Sequence, residues 1–263
     1  MTDRESTRLR PLMRAEQVSK YYGPRAGCRD VDFTLWQGEV LGIVGESGSG
    51  KSTLLNCLSG LAAPSSGHVY FYSRQGRVDF CNIPEAEKRS IIRSELGIVH
   101  QNARDGLRMD ISAGGNIGES LLAGGARHYG EIRQKAAHWL DRVEIGSGRI
   151  DDRPRTFSGG MQQRLQIARN LVTNPRLIFM DEPTSGLDVS VQARLLDILR
   201  TLVRELALSL VIVTHDLAVA RLLAHRLMVM KEGRVVESGL TDQILDDPQQ
   251  AYTQLLVASV LRI

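Results

Sequence analysis

The chain has 263 residues, of which 42% are hydrophobic and 24% are charged, as is typical of a globular protein with a sizeable core. Its formal net charge of +3 does not indicate a nucleic-acid-binding protein. No apolar run approaches the roughly 18 residues that a membrane-spanning helix needs, and no signal-peptide pattern begins the chain. The three cysteines lack CxxC spacing, so we expect free thiols in the reducing cytoplasm.

The first hundred residues predict mostly strands. Residues 1–12 are polar and Arg-rich without a hydrophobic period, and we expect a disordered extension there. The pattern that follows predicts antiparallel strands around Val18 and Val31–Trp36, an apolar strand at Glu39–Val44, a hairpin around Gly76, a charged helix over about 84–95 and a strand at Leu96–Val99.

The middle of the chain differs from both ends. Residues 102–165 begin with a glycine-rich stretch, become helical at about Tyr129 and contain no strand-like run. Beyond them, helical patterns alternate with apolar strands at 176–181, 209–214 and 226–231. Strands that alternate with helices indicate a largely parallel sheet covered on both faces, here interrupted by a mostly helical insertion.

A glycine-rich segment follows the strand Glu39–Val44 and opens a predicted helix. The GxxxxGK[ST] pattern of a P-loop is matched by eight consecutive residues: Gly45, Glu46, Ser47, Gly48, Ser49, Gly50, Lys51 and Ser52. In such a loop, backbone N–H groups turn inward around phosphates. The Lys51 ammonium would contact the β- and γ-phosphates, and the Ser52 hydroxyl would ligate Mg²⁺. The pattern predicts a site for ATP and Mg²⁺, to which we also assign Thr53.

Two carboxylates, Asp181 and Glu182, end a later apolar strand that begins at Leu177. Such a strand delivers its last side chains to the carboxyl edge of the sheet, where open α/β folds bind their ligands. Asp181 is therefore a candidate for the Mg²⁺ side of the site. Glu182 is a candidate for holding the attacking water.

A second anion-binding segment begins the helix after residue 157, with Ser158, Gly159 and Gly160 in the run FSGGMQQR. The P-loop already holds the phosphates of one ATP, so this segment makes sense if it contacts the γ-phosphate of an ATP bound by another molecule. Here the chain resembles the ABC ATPase family, whose signature is close to LSGGQ. Met161 replaces the glutamine of that signature. We expect activity to survive, because the phosphate-facing work belongs to Ser158 and the glycine backbone.

The resemblance covers the chain from about residue 14 to its end and implies more site residues. It implies that Gln101 reaches Mg²⁺ and the attacking water, and that His215 contacts the γ-phosphate. Tyr22 would stack on adenine, and Asp188 would cross the interface of a dimer closed around two ATP molecules. Intact Glu182 and His215 argue against a scaffold that binds ATP without hydrolysing it.

The family resemblance also implies the architecture. We expect an α/β fold, with a P-loop NTPase (RecA-like) core, an antiparallel β subdomain and an inserted helical subdomain. Residues 13–263 would form a single ABC ATPase domain, in which the core spans 13–101 and 166–263 and the helical subdomain spans 102–165.

Two branches of the family fit the remaining motifs. Residues 105–130 are similar to the ABC ATPases of the bacterial carbon–phosphorus lyase system, which implies a soluble partner complex that breaks phosphonate C–P bonds. FSGGMQQR and residues 247–256 are similar to oligopeptide-importer ATPases, which implies a membrane permease as partner. The dimer would form between identical chains or with a sister ATPase, and we expect no nucleic acid and no direct membrane insertion.

The partner is expected to dock on residues 102–130. Glycines in this stretch each weaken helix formation by about 1 kcal/mol relative to alanine. The stretch would therefore be ordered by a partner, or its glycines would permit close backbone approach. Apolar contacts would come from Leu107, Met109, Ile111, Leu121 and Leu122, with Arg104 and Arg108 at the rim. The alternative is a flexible surface loop whose apolar residues pack inward.

Overall fold

The computed structural model describes residues 10–260, apart from the side chain of the last residue. The strands within this range are β1 (Pro11–Tyr22), β2 (Arg25–Trp36), β3 (Val40–Val44), β4 (Ser66–Ser73), β5 (Gly76–Asp79), β6 (Leu96–Val99), β7 (Leu177–Asp181), β8 (Ser209–Thr214), β9 (Arg226–Lys231) and β10 (Arg234–Leu240). The α-helices are α1 (Lys51–Leu58), α2 (Glu85–Glu95), α3 (Ala103–Gly106), α4 (Ala113–Ala123), α5 (Tyr129–Arg142), α6 (Gly159–Leu171), α7 (Val189–Leu206), α8 (Leu217–Leu223), α9 (Thr241–Asp246) and α10 (Ala251–Val260). Short 3₁₀ helices lie at Ser147–Arg149 and Pro154–Thr156.

Strand β1 begins before the predicted domain boundary at residue 13. Pro11 and Leu12 belong to β1, where Pro11 pairs with Trp36, and the side chain of Leu12 is fully buried. The expectation of an extension over 1–12 is therefore wrong for these two residues, because an apolar side chain flanked by arginines still gains from burial. Residues 1–9 lie outside the described part of the chain.

The antiparallel subdomain is a four-stranded sheet of order β2-β1-β4-β5. The second sheet has six strands in the order β10-β9-β3-β8-β7-β6, and every neighbouring pair from β9 to β6 is parallel. This confirms the largely parallel sheet. The antiparallel edge strand β10 and the helices α9 and α10 were not predicted. The strand sequence RVVESGL lacks an alternation of apolar and polar residues.

The six-stranded sheet buries side chains on both faces. Val40 and Ile178 contribute to a core shared with α6 and α7, whereas Leu41 and Phe179, each one residue along the same strands, contribute to a core shared with α1 and the antiparallel sheet. This alternation follows from the two-residue period of a strand. The residues that follow the carboxyl ends of the parallel strands are not part of either core, and open α/β sheets bind their ligands at this edge.

The helical subdomain contains no strand within 102–165, as predicted, but its glycine-rich stretch is a regular helix, α4. The glycines allow close approach to neighbouring residues, which is one of the two roles expected for them. A Cβ on Gly118 would lie 2.9 Å from Ile132 of α5, and one on Gly114 would lie 2.5 Å from Ile150. The fully buried Asn116 adds hydrogen bonds to both backbone groups of Arg108.

The boundary predicted at 165/166 falls inside α6, which runs unbroken from the helical subdomain into the core. The same helix therefore belongs to both parts of the domain. Within residues 10–260, no helix is both long and apolar enough to cross a bilayer.

Candidate active site

The P-loop joins β3 to α1 at the carboxyl edge of the parallel sheet. Gly45, Gly48 and Gly50 have φ values of +147°, +82° and +103°, a region that side chains other than glycine rarely adopt. A Cβ on Gly50 would also collide with the carbonyl oxygen of Gly27, and one on Gly45 with that of Met230. The loop therefore needs glycine for its backbone conformation and for its close approach to neighbouring backbone.

Lys51 stands inside this loop as the first residue of α1. Its ammonium donates hydrogen bonds of 2.8 Å to the carbonyl oxygens of Gly45 and Glu46. Burial lowers the pKa of Lys51, and the nearby carboxylates of Glu182 and Asp181 oppose that shift. The loop thus fixes a cation where phosphates would gather.

Ser52 and Asp181 form the oxygen-rich side of the site. The Ser52 hydroxyl donates a hydrogen bond of 3.1 Å to Asp181. Burial raises the pKa of Asp181, and the charge of Glu182 raises it further. A half-buried carboxylate beside a hydroxyl is a donor set that Mg²⁺ prefers, and a divalent cation would offset the partial burial of the negative charge. These residues fit the predicted Mg²⁺.

Glu182 is the meeting point of the predicted catalytic residues. Its carboxylate accepts a hydrogen bond of 3.3 Å from the Gln101 amide and lies 3.1 Å from Nδ1 of His215. Its backbone has a φ of +42°, a strained value for a residue other than glycine, and is held by an N–H bond of 2.8 Å to Val213. The structure therefore brings together the three residues that the sequence nominated from three distant segments.

Lys51, Ser52, Gln101 and Glu182 line one open cavity of about 450 Å³. Asp181 and His215 do not line it, although they contact Ser52 and Glu182, which do. Tyr22 lines one end and is 54% exposed, as a ring that stacks on a base would be before the base arrives. The remaining lining residues are Arg25, Ala26, Gly27, Ser47, Gly48, Gly50 and Thr53. Arg25 was not predicted as a site residue. Its position, three residues after the predicted adenine-stacking Tyr22, was an available signal that this basic side chain lies near an anionic ligand.

Seven of the predicted binding residues do not line this cavity. Three of them, Gly45, Glu46 and Ser49, belong to the P-loop itself, whereas Ser158, Gly159, Gly160 and Asp188 lie outside the P-loop. The Ser158 hydroxyl accepts the Met161 N–H at 3.3 Å and caps α6. Asp188 is exposed and makes no capping bond to α7. Gly160 has a packing reason to be glycine, since a Cβ would collide with Val191. None of these four residues therefore faces the cavity formed by the P-loop of its own chain.

Two buried glutamines of α6 were missed by the motif search. The Gln166 side chain accepts the His100 N–H at 2.5 Å and donates to the His100 carbonyl at 3.3 Å. The Gln163 amide donates to the same carbonyl at 3.2 Å. Both side chains therefore hold the backbone of His100, directly before Gln101, by hydrogen bonds. Because they belong to α6, the helix that begins with the signature residues also positions Gln101. The available signal was the presence of glutamines on the apolar face of a predicted helix, where a side-chain amide needs hydrogen-bond partners.

Comparison with known proteins agrees with this geometry. A family model described as "ABC transporter" matches residues 28–185, which include the P-loop, Gln101, the signature and both carboxylates. The chain belongs to the ABC family. It is accordingly an ATP-hydrolysing enzyme with a P-loop NTPase fold, as the site geometry indicates.

Individual relatives of this ABC ATPase fall into the two predicted branches. The chain is 63% identical to the "Putative phosphonates utilization ATP-binding protein PhnK" of Escherichia coli (strain K12), over 96% of this chain and 98% of that protein. It is 36% identical to the "Dipeptide transport ATP-binding protein DppF" of the same organism, over 100% of this chain and 80% of that protein. A solved ATP-binding cassette in a dimeric post-hydrolysis state, bound to ADP and Pi, matches 88% of this chain and 99% of its own with a TM-score of 0.78 and 31% identity.

Proposed function

We propose that this ABC ATPase acts in the cytoplasm as a nucleotide-sandwich dimer and serves the soluble complex that breaks the C–P bonds of phosphonates. The observation that carries the proposal is the 63% identity, over nearly the whole of both chains, to a relative named for phosphonate utilisation. The C–P chemistry would belong to the partner subunits. The ATPase would supply the energy of nucleotide binding and hydrolysis.

Each residue of the site has a role in this proposal. Lys51 and the P-loop amides bind the phosphates, while Tyr22 stacks on the adenine. Glu182 orients the attacking water and accepts its proton, and its contacts with Gln101 and His215 hold that carboxylate in place. Ser52, Asp181 and Gln101 would hold Mg²⁺, whose charge would stabilise the negative charge that develops on the phosphates.

The dimer gives a role to the four predicted binding residues that lie outside both the P-loop and the cavity: Ser158, Gly159, Gly160 and Asp188. Ser158 and Gly159 are exposed at the start of α6, and Asp188 and Val189 are exposed at the start of α7, with Val189 85% accessible. A hydroxyl and helix N–H groups at such a position suit an anion. In a second molecule facing this one, they would contact the γ-phosphate of the ATP held here. The dimeric state of the solved relative supports this arrangement.

A dipeptide or oligopeptide importer is the second candidate. It is favoured by the 36% identity to a protein named for dipeptide transport. In that case the partner would be a membrane permease. The two candidates share the ATPase chemistry and differ in what docks on the helical subdomain.

The helical subdomain offers such a docking surface, although it differs from the predicted one. Leu107 and Leu121 are buried within the subdomain, so the expectation that they contact a partner is wrong. Ile111 and Leu122 are 37% and 49% exposed, and Leu122 borders an apolar cavity of about 330 Å³ between α4 and α5. Tyr129, on the same cavity, is 73% exposed. We propose this apolar surface as the partner's contact.

At the predicted basic rim, Arg108 forms an ion pair of 2.9 Å with Glu119, while Arg104 is exposed. Because Arg108 is already paired, it contributes less to a new contact with a partner. Substitution of an apolar side chain is therefore the better test of the docking surface.

The test is capture of partners by the Glu182→Gln variant with Mg-ATP, from bacteria that grow on a phosphonate as their phosphorus source. We expect soluble phosphonate-metabolism proteins to bind, and Leu122→Asp to lose them. Leu61→Asp, at a side chain that is 52% exposed but outside the helical subdomain, is the matched control. Captured integral membrane proteins would contradict the phosphonate role. Unchanged capture by Leu122→Asp would contradict the docking surface alone.

A further inference from the structure

The C-terminal helix α10 reaches the P-loop through one side chain. The backbone N–H of Glu46 donates a hydrogen bond of 3.1 Å to the hydroxyl oxygen of Tyr252, although 206 positions separate the two residues. Tyr252 is half-buried, and the Lys231 ammonium lies 5.0 Å from the centre of its ring. The P-loop pattern includes no residue from this part of the chain, so the contact becomes visible only in the folded protein.

The helix that carries Tyr252 is fixed at its start. The Glu237 carboxylate of β10 accepts hydrogen bonds from the backbone N–H groups of Gln249 at 2.8 Å and Gln250 at 3.2 Å, just before α10. A carboxylate at this end of a helix satisfies free N–H groups and complements the helix dipole. Leu256 and Val257 pack α10 against the core. The hydrogen bonds and the packing of α10 therefore fix the position from which Tyr252 contacts the P-loop.

The peptide that Tyr252 contacts is the one that holds Lys51. The Glu46 N–H meets the Tyr252 hydroxyl, while the Glu46 carbonyl accepts a bond of 2.8 Å from the Lys51 ammonium. On its other side, the loop lies against the end of β9, where a Cβ on Gly45 would collide with Met230. The start of the P-loop is thus enclosed by β9, by Lys51 and by Tyr252.

We propose that Tyr252 is a positioning residue of the P-loop, which holds the Gly45–Glu46 segment so that Lys51 is placed for the nucleotide phosphates. The inference rests on the proposed role of the P-loop as the ATP site. A loop ordered in advance binds its ligand more tightly, because binding need not order it. One hydrogen bond contributes about 0.5–1.5 kcal/mol net, so its loss should weaken ATP binding about 2- to 12-fold.

Tyr252→Phe tests this inference, because it removes only the hydroxyl. We expect the Kd and the KM for ATP to rise about 2- to 12-fold. The kcat should stay near that of the wild type, since Glu182 and its partners are untouched. In the nucleotide-free protein, the Glu46 amide proton should exchange faster with solvent, while the midpoint of thermal unfolding falls by only a few degrees. Tyr72→Phe, which removes a hydroxyl from β4 in the other sheet, is the matched control.

Unchanged ATP affinity and unchanged Glu46 exchange would overturn the inference. So would a joint fall in kcat and thermal stability without a change in KM, because that pattern belongs to a structural role of α10. Lys51→Ala, measured in parallel, separates this inference from the proposed site. If Lys51→Ala binds ATP normally, the P-loop assignment fails. If Lys51→Ala loses binding while Tyr252→Phe keeps it, only the role of Tyr252 fails.

Discussion

Glu182→Gln is expected to lower the rate of ATP hydrolysis by about 10²- to 10⁴-fold, the usual contribution of a general base. The amide keeps the size of the side chain but cannot accept a proton from water. ATP affinity should remain near that of the wild type, since the bonds from Lys51 to Gly45 and Glu46 do not involve this carboxylate. Phosphate release at saturating Mg-ATP measures the first quantity, and titration with a fluorescent ATP analogue measures the second.

Glu85→Gln is the matched control for that variant, because it removes an exposed carboxylate from α2. The side chain of Glu85 is 64% accessible. It should hydrolyse ATP like the wild type. Turnover by Glu182→Gln within about tenfold of the wild-type rate would rule out this carboxylate as the general base.

Lys51→Ala is expected to weaken ATP binding roughly 30- to several-thousand-fold. The change removes a buried cation from the phosphate site, and losing one member of a desolvated charge pair costs about 2–5 kcal/mol. Thermal unfolding checks that the variant is folded, because one of the two carbonyl oxygens that lose the Lys51 ammonium, that of Gly45, is buried. Isothermal titration with ATP and ADP measures the loss.

Lys135→Ala serves as the control for charge, since Lys135 is exposed on α5 in the helical subdomain. This variant should bind ATP normally, and the thermal unfolding of both variants should resemble that of the wild type. Near wild-type affinity in Lys51→Ala would show that the phosphates bind somewhere else.

Much of the site could be predicted because its chemistry lies in short, contiguous motifs. The P-loop, the pair Asp181 and Glu182, and the signature each place their residue types at fixed spacing after a strand or before a helix. The parallel sheet then brings the ends of β3, β7 and β8 to one edge, which is why the distant His215 meets Glu182.

What could not be predicted depends on pairings between distant segments. The contact between Tyr252 and Glu46 joins a C-terminal helix to the P-loop, and neither local sequence carries a signal for the other. The glycines of α4 lower its helix propensity by about 1 kcal/mol each, and the local sequence does not show that two of them pack closely against Ile132 and Ile150. The start of β1 was missed because its apolar residues are few and flanked by arginines.

The sandwich dimer is the central claim, and the oligomeric state of Glu182→Gln tests it most directly. Light scattering during gel filtration should give about the monomer mass without nucleotide and about twice that mass with saturating Mg-ATP, because the closed dimer persists until hydrolysis. Adding Ser158→Arg should return the monomer while sparing ATP binding, since Ser158 is exposed outside the ATP cavity of its own chain. A Glu182→Gln variant that binds Mg-ATP yet stays monomeric, both alone and with cell extract that supplies any sister ATPase, would contradict the account.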